Sequence, residues 1–475
     1  MSPDAIDKDE LFATLPPPWP ESLLGEIRQR IAVSGQRFVV LDDDPTGGQT
    51  LHGMPVLAAW DDDTLLAEVE RSPAFFVLTN SRSLSQPEAV VLNEEVGRQL
   101  RRVAEKAGRE LIVGSRGDST LRGHYPVETD ALFRGLTGDN QKRPTYIVAP
   151  YFGEGGRFTV NDTQYVLQGA DLVPVAETEF ARDPAFAFEH SDLPSWLRAR
   201  SGEALNVVSV SIDELRRGGP EAVSETLRSI PEGSAVVVNA AAERDIEVFV
   251  AGLLAVEAEG RRFLYRTAAA FVRVRAGIDQ RPPLTGEELG SATGEGGLIV
   301  VGSYVDRTSQ QLKGLLSREG VRGVELHVGE LFGSDAEGEI ARVAATVGKE
   351  LQGGADVVLF TSRELTRDMA GLDFQSIGQR VSTAICDVLR KLDGRPGFLL
   401  VKGGSTACRV AIDSLGVKRA MVLGQLLPGV PVWRLGDESR YPGVPYVVFP
   451  GNVGGPDALD QALDVLHGGA NAGHG

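Results

Sequence analysis

Cysteine is nearly absent: two residues, Cys386 and Cys408, in a chain of 475. They cannot build a disulfide framework, their spacing fits no zinc site, and a reducing compartment is the simple reading. No apolar run approaches the roughly 20 residues that cross a bilayer. The opening residues are acidic (Asp4, Asp7, Asp9, Glu10), the wrong charge for a secretory leader, so a cytoplasmic protein without a membrane partner is expected. Basic residues are the minority. A formal net charge of −18 repels a phosphate backbone and disfavours nucleic acid as a partner. An anionic substrate must then be met by local arginines, lysines or a metal. No GxxxxGK[ST] occurs, which excludes a P-loop enzyme, and no GxGxxG follows a strand, which leaves a Rossmann dinucleotide site unsupported.

What is present reads as a globular α/β protein. The length exceeds one ordinary core and predicts two or three domains. A hydrophobic fraction of 42% and a charged fraction of 24% are globular values. Loose pieces are expected at Pro16–Pro18 and in the tail after Leu466. Apolar runs alternating with helical patterns predict strands at Arg37–Asp42, Ala74–Leu78, Glu110–Val113, Thr145–Ala149, Leu205–Val210, Ala235–Asn239 and Arg262–Tyr265. They are continuous rather than alternating, as parallel strands covered on both faces should be. The polar, Gly- and Pro-rich stretch Arg275–Gly297 reads as a linker. A second series follows at Leu298–Val301, Val324–Val328, Asp356–Phe360, Gly397–Val401, Arg419–Leu423 and Tyr446–Phe449, closed by an amphipathic helix near 457–466. The expected architecture is α/β: two three-layer α/β domains with mainly parallel sheets, residues 1–285 and 286–475, with the active site in the interdomain cleft. Ligands gather at strand C-terminal ends in such sheets, so the loops after the strands are the places to search.

In the first half these loops are unusually polar. Asp42, Asp43 and Asp44 end the first strand in DDDPTGGQT. Three adjacent carboxylates repel one another and persist where a cation or substrate hydroxyls satisfy them: a metal site, a general base or both, against an ordinary acidic turn capping a helix. The next loop, NSRSLS, offers Arg82 as a carboxylate clamp among hydroxyl donors, or a plain serine-capped turn. RGDSTLRGH then crowds Arg116, Gly117, Asp118, Ser119, Thr120, Arg122 and His124 into nine positions. Guanidinium groups beside an aspartate and a serine suit a hydroxy acid; His124 reads as a packed or capping histidine before a base. Glu154–Arg157 is a lid, an anion contact or a glycine turn.

In the second half, three strand–glycine–helix junctions recur: Gly302-Ser303, Gly403-Gly404-Ser405-Thr406, and Gly451 to Gly455. Glycine lets backbone approach a ligand, and a helix start offers free N–H groups to phosphate. Lys402 adds a charge beside the second junction. GGSTA (Gly403–Ala407) comes near a GxSxG nucleophile elbow, which keeps a serine hydrolase using Ser405 as a competitor, with a non-catalytic binder of an acidic metabolite as the other.

Taken together, DDDPTG (42–47), NSRSLS (80–85), RGDSTLRGH (116–124), GGST (403–406), PGVP (428–431) and PGNVGG (450–455) resemble the four-carbon acid sugar kinase family, in family order and over nearly the whole chain. The resemblance implies an N-terminal acid-sugar-binding domain, a C-terminal ATP-binding domain and an ATP-dependent kinase phosphorylating a hydroxyl of threonate, erythronate or a 3-oxo-tetronate. It places substrate at Asp43, Asp44, Arg82, Arg116, Gly117, Asp118, Ser119 and Arg122, and ATP at Ser303, Gly403, Gly404, Ser405, Thr406 and Gly451. Asp43 and Asp44 are the catalytic pair, one accepting a proton or helping to place Mg²⁺, whose ligands stay unassigned. The partners implied are a small sugar acid and ATP, with a homodimer left open. The chain departs from better-known members, which read closer to ADDFTG, and carries extra sequence at Thr178–Trp196, so it resembles a longer subtype.

Overall fold

The computed structural model describes residues 4–138, 143–290, 296–302, 306–362, 374–451 and 453–469. The chain forms two compact units, one of residues 1–50 and 60–280, the other of residues 51–59 and 281–475.

The first unit is built on a seven-stranded parallel sheet. Its order is Val207–Val210, Ala235–Val238, Thr145–Ala149, Phe263–Thr267, Leu111–Arg116, Arg37–Asp42 and Ala74–Leu78. Ala74–Leu78, Thr145–Ala149 and Phe263–Thr267 are buried along their whole length, which is why they show no polar alternation. Helices Asp62–Arg71, Gln86–Ala107 and Val127–Thr137 pack together as one group. Leu24–Ser34, Gly219–Ser229, Glu243–Ala258 and Ala269–Arg275 form a second. The long helix Gln86–Ala107 begins in a capping box, Ser85 with Glu88, and stops at left-handed Gly108.

A small antiparallel sheet runs Ile6–Asp7, Asp171–Pro174, Thr163–Gln168, Arg157–Val160. It corrects the expectation of a loose N-terminal stretch. Asp7 caps helix Lys8–Ala13, and the Pro16 carbonyl accepts a 2.6 Å bond from Arg216. Pairing partners more than 160 residues away hold this segment, a constraint no local pattern carries.

The second unit has a mixed sheet. Leu399–Lys402, Leu298–Val301, Asp356–Thr361 and Val321–Leu326 are parallel, and Pro445–Phe449 joins them in parallel beside Leu399–Lys402. Val430–Leu435, Arg419–Leu427 and Met54–Leu57 extend the sheet antiparallel. The last is a strand from the N-terminal half of the sequence, held by Gly53 N–H to Val422 O (2.7 Å) and Ala58 N–H to Lys418 O (2.8 Å). Helix Ala458–Leu466 lays Leu459, Leu463 and Leu466 into the core with Ile299, Leu400 and Phe449, as its periodicity predicts. Within the expected linker the chain forms a short capped helix, Gly286–Leu289; residues 291–295 lie outside the described set. Among the described residues no helix is long and apolar enough to cross a membrane.

Candidate functional site

Strand register builds the charged cluster of the first unit. Arg37–Asp42 lies between Leu111–Arg116 and Ala74–Leu78, and the pairing sets Asp42 directly beside Arg116 and Leu78. Three loops therefore leave the sheet at one level. Arg82, on the turn Ser81–Ser83, reaches Asp43 at 2.9 Å, Asp44 at 3.6 Å and Asp118 at 4.0 Å. Arg116 stands 3.6 Å from Asp42 and 3.8 Å from Asp43. Arg122 holds Asp118 at 2.6 Å and Asp183 at 3.4 Å. Six of the expected positions, Asp43, Asp44, Arg82, Arg116, Asp118 and Arg122, thus form one continuous chain of charges.

The charges are not equivalent. Burial pushes the Asp42 carboxyl up to about 8; Arg116 opposes this, and the neighbouring Asp43 and Asp44 add to it. Asp42 is therefore largely neutral near neutral pH. Burial also works against ionised Asp44, but Arg82 and two hydrogen bonds from Thr46, through its N–H (2.9 Å) and its hydroxyl (2.5 Å), outweigh it and hold the carboxyl below its ordinary value. Asp118 is likewise ionised: burial is overcome by Arg122, Arg82 and a bond from the Thr120 hydroxyl. Arg82 keeps its charge, because Asp43, Asp44 and Asp118 outweigh the cost of burying it.

Several polar atoms here are sealed from water and unbonded: Asp43 Oδ2, Thr50 Oγ1, Arg82 Nε, and Arg116 Nε and Nη1. Arg116 is only 5% exposed, and its guanidinium donates a long bond, 3.5 Å to Gln49. Buried guanidinium hydrogens without acceptors are costly in a resting protein; an anionic ligand that enters the cluster would satisfy them. Ser119 is buried, and its carbonyl is held by Gln164 at 2.8 Å. His124 packs edge-on to Phe186 and meets the Leu84 carbonyl at 3.0 Å, as expected of a packed histidine.

The second unit gathers its glycine turns at the C-terminal ends of three adjacent strands. Gly403, with φ +115°, opens helix Gly404–Arg409, and its N–H bonds to Phe449 O at 2.8 Å. A side chain there would meet a backbone conformation that L-residues rarely adopt. Gly302 faces the same turn: a Cβ on it would lie 3.0 Å from Thr406 Oγ1. The Gly451 carbonyl accepts from Thr308 at 3.3 Å, and Gln311 donates to Gly455 O at 2.8 Å. Gly403, Gly404, Thr406 and Gly451 are brought together, and Ser405 is exposed on the first helical turn. Ser303 lies outside the described residues, as does Asn452. Lys402 is used differently from its sequence reading. It is fully buried, stacks over the Phe449 ring at 4.1 Å and donates to Pro450 O at 2.8 Å and Val453 O at 3.4 Å. It pins the glycine turn rather than charging its surface.

The sequence reading missed Arg266, Glu128, Phe180 and Asp183. Arg266 and Glu128 are buried beneath the RGDSTLRGH loop; Phe180 lies under the Arg122 guanidinium, 5.1 Å from its ring centre. An arginine inside the otherwise apolar run Phe263–Thr267 was the one available signal for the first.

A cluster of charged side chains at the strand ends of one parallel sheet and glycine turns at the strand ends of a mixed sheet mark two chemically different parts. Family comparison agrees. Residues 38–275 match a sugar-binding N-terminal domain and residues 298–459 a nucleotide-binding C-terminal domain. The chain belongs to the four-carbon acid sugar kinase family. Among solved structures it is similar to Haemophilus influenzae protein HI1011, of the DUF1537 family, at 16% identity and TM-score 0.63, covering 90% of this chain and 100% of that one. It is also similar to a Salmonella typhimurium LT2 protein described as a candidate tRNA synthase, at 18% identity and TM-score 0.64, covering 89% and 97%. At these identities the likeness is one of fold. No curated protein matches the chain.

Proposed function

We propose that the protein is an ATP-dependent kinase that phosphorylates a hydroxyl of a four-carbon acid sugar of the threonate, erythronate or 3-oxo-tetronate class, and that it works in the cytoplasm. Residues 1–285, apart from the 51–59 strand, would recognise the acid, and residues 286–475 the nucleotide. The observation that carries the reading is buried Arg116, whose Nε and Nη1 have no hydrogen-bond partner although it stands 3.6 Å from Asp42 and 3.8 Å from Asp43. With Arg82 it supplies two guanidinium groups for a carboxylate.

Asp118 and Ser119 would then face the hydroxyls. Asp44 is the best-placed proton acceptor, with 21% of its side chain exposed against 3% for Asp43. As the acceptor oxygen bonds to the γ-phosphorus, the bond from that phosphorus to the leaving diphosphate breaks and the hydroxyl proton passes to Asp44. Its low proton affinity suits a loose transition state, in which orienting the hydroxyl matters more than deprotonating it early. Asp43, between Arg82 and Arg116, holds both guanidinium groups in place. The turns at Gly302, Gly403–Thr406 and Gly451 suit the phosphates of ATP, which supplies the transferred group.

Mg²⁺ fits the carboxylates poorly. Asp44 and Asp118 are already bonded to Thr46, Thr120 and arginines, and among the described residues no three carboxylate, histidine or cysteine groups converge as a metal site. No step is assigned to a protein-bound metal.

The test is ATP depletion against C4 to C6 sugar acids with Mg²⁺ in the buffer. Acid-dependent ADP release supports the reading; acid binding without ATP consumption makes the protein a non-catalytic binder instead. An Asp44→Asn variant with full turnover would remove that residue from proton transfer.

A further inference from the structure

The loop that carries Arg116, Asp118, Ser119 and Arg122 has an unexplained interior. Arg266 enters it from the neighbouring strand, where register pairs Arg266 with Ser115 and Thr267 with Arg116. The Arg266 side chain is 5% exposed. Its Nη2 donates to the Arg122 carbonyl at 3.0 Å, and its Nε has no partner. Both loop glycines are shaped around it. A Cβ on Gly117 would fall 1.1 Å from Arg266 Nη1 and 1.7 Å from Cζ, an impossible overlap, although the Gly117 backbone is not left-handed. A Cβ on Gly123, which has φ +118°, would fall 3.2 Å from Arg266 Nη2 and 3.3 Å from Asp43 Oδ2. Glu128 closes the far side. It is 2% exposed, its Oε2 takes the Ser81 hydroxyl at 3.0 Å, and its Oε1 is unbonded, 3.8 Å from the same Gly123 position.

We propose that Arg266 is the positioning residue of the acid site: a buried guanidinium around which residues 116–123 are wound, so that Arg116, Asp118 and Arg122 present their charges in one geometry. This accounts for glycine at 117 by occupied space alone. It accounts for a charge within a buried strand, since the cation donates to a loop carbonyl and lies within electrostatic range of Glu128 rather than in solvent. It also separates Arg266 from the arginines that would touch substrate, because its hydrogen bond points into the loop. The inference deepens the kinase reading and rests on it for the identity of the ligand.

The test combines binding, kinetics and a double-mutant cycle in the full chain. Arg266→Lys keeps the charge and loses the fork; Arg266→Ala empties the space. Affinity for threonate and erythronate, by calorimetry without nucleotide, should fall roughly tenfold or more for Arg266→Ala and be partly rescued in Arg266→Lys, with the KM for ATP unmoved. Gly117→Ala alone should lower both acid affinity and Tm. In the Arg266→Ala background the same substitution should add nothing, because its Cβ enters vacated space. Additive losses in the cycle, or wild-type acid affinity in Arg266→Ala, would overturn the proposal. If neither acid binds the wild type, the substrate reading fails by that result, and the cycle read on Tm still decides whether the loop is wound on Arg266.

Discussion

The two units build their strand-end sites by opposite means. The cluster of the first uses side-chain charge: three arginines and five aspartates (Asp42, Asp43, Asp44, Asp118 and Asp183), linked by ion pairs and largely sealed from water. The nucleotide unit uses backbone: glycines at strand ends, helix starts, and one lysine spent on carbonyls beneath the turn. A small carboxylate needs a directional partner with a matching fork, which arginine provides. A phosphate chain can be held by many N–H groups at once, which requires close approach and therefore no side chain. In a protein of net charge −18, buried guanidinium groups and helix starts are the local donors an anion could meet against an unfavourable background.

That contrast breaks or sharpens under substitution. The largest effect is expected for Arg116→Met, which takes a buried guanidinium from beside Asp42 and Asp43 and leaves Asp43 with Arg82 alone. Losing one partner of such a pair costs about 2–5 kcal/mol, so kcat/KM for the acid should fall about 10²–10³-fold while nucleotide affinity stays put. An equal fall in nucleotide affinity would mean the two regions are not separable. Next is Lys402→Met, which removes the 2.8 Å donor to the Pro450 carbonyl and leaves Val453 O to Gln311. Roughly 2–4 kcal/mol of stability should go, read by urea unfolding, with weaker ATP binding and unchanged acid binding. Gly403→Ala forces a side chain into φ +115°; at about 1–3 kcal/mol it should raise the KM for ATP about tenfold and leave the acid constants alone.

A different kind of effect is a pH slope. Folded Asp42 keeps a proton up to about 8 against an ordinary value of 3.8. Its contribution to stability is fully present below the ordinary value and is lost as pH climbs toward 8. Asp42→Asn has no proton to lose, so its stability relative to wild type should rise between pH 4 and 8 and level off above. Asp44 and Asp118 act oppositely: their lowered values stabilise above the ordinary carboxylate range, and that contribution is lost in acid. A flat difference between Asp42→Asn and wild type would show that Asp42 is ionised and that the cluster carries one more negative charge than described.

Much of the parallel framework was legible. Arg37–Asp42, Ala74–Leu78, Thr145–Ala149 and Leu298–Val301 match their expected bounds to the residue, because an apolar run ending in a polar loop has one reading in a sheet covered on both faces. Phe263–Thr267 is cut short at Tyr265 in the sequence reading, since a buried arginine imitates a strand end. The antiparallel pieces Met54–Leu57, Arg157–Val160, Thr163–Gln168, Asp171–Pro174 and Val430–Leu435 were missed. They are short and carry no strong alternation, and several owe their state to partners far along the chain.

The sequence by itself determined the α/β class, the position of polar loops at strand ends, and which loops carry the arginines and which the glycines, because those follow from local pattern and residue chemistry. Only the tertiary structure decided that Asp42 lies level with Arg116, that Lys402 faces inward, and that Arg266 fills the space glycine leaves at 117. Register and burial are properties of pairs distant in the chain, and they set both which charges meet and how strongly water is kept from weakening them.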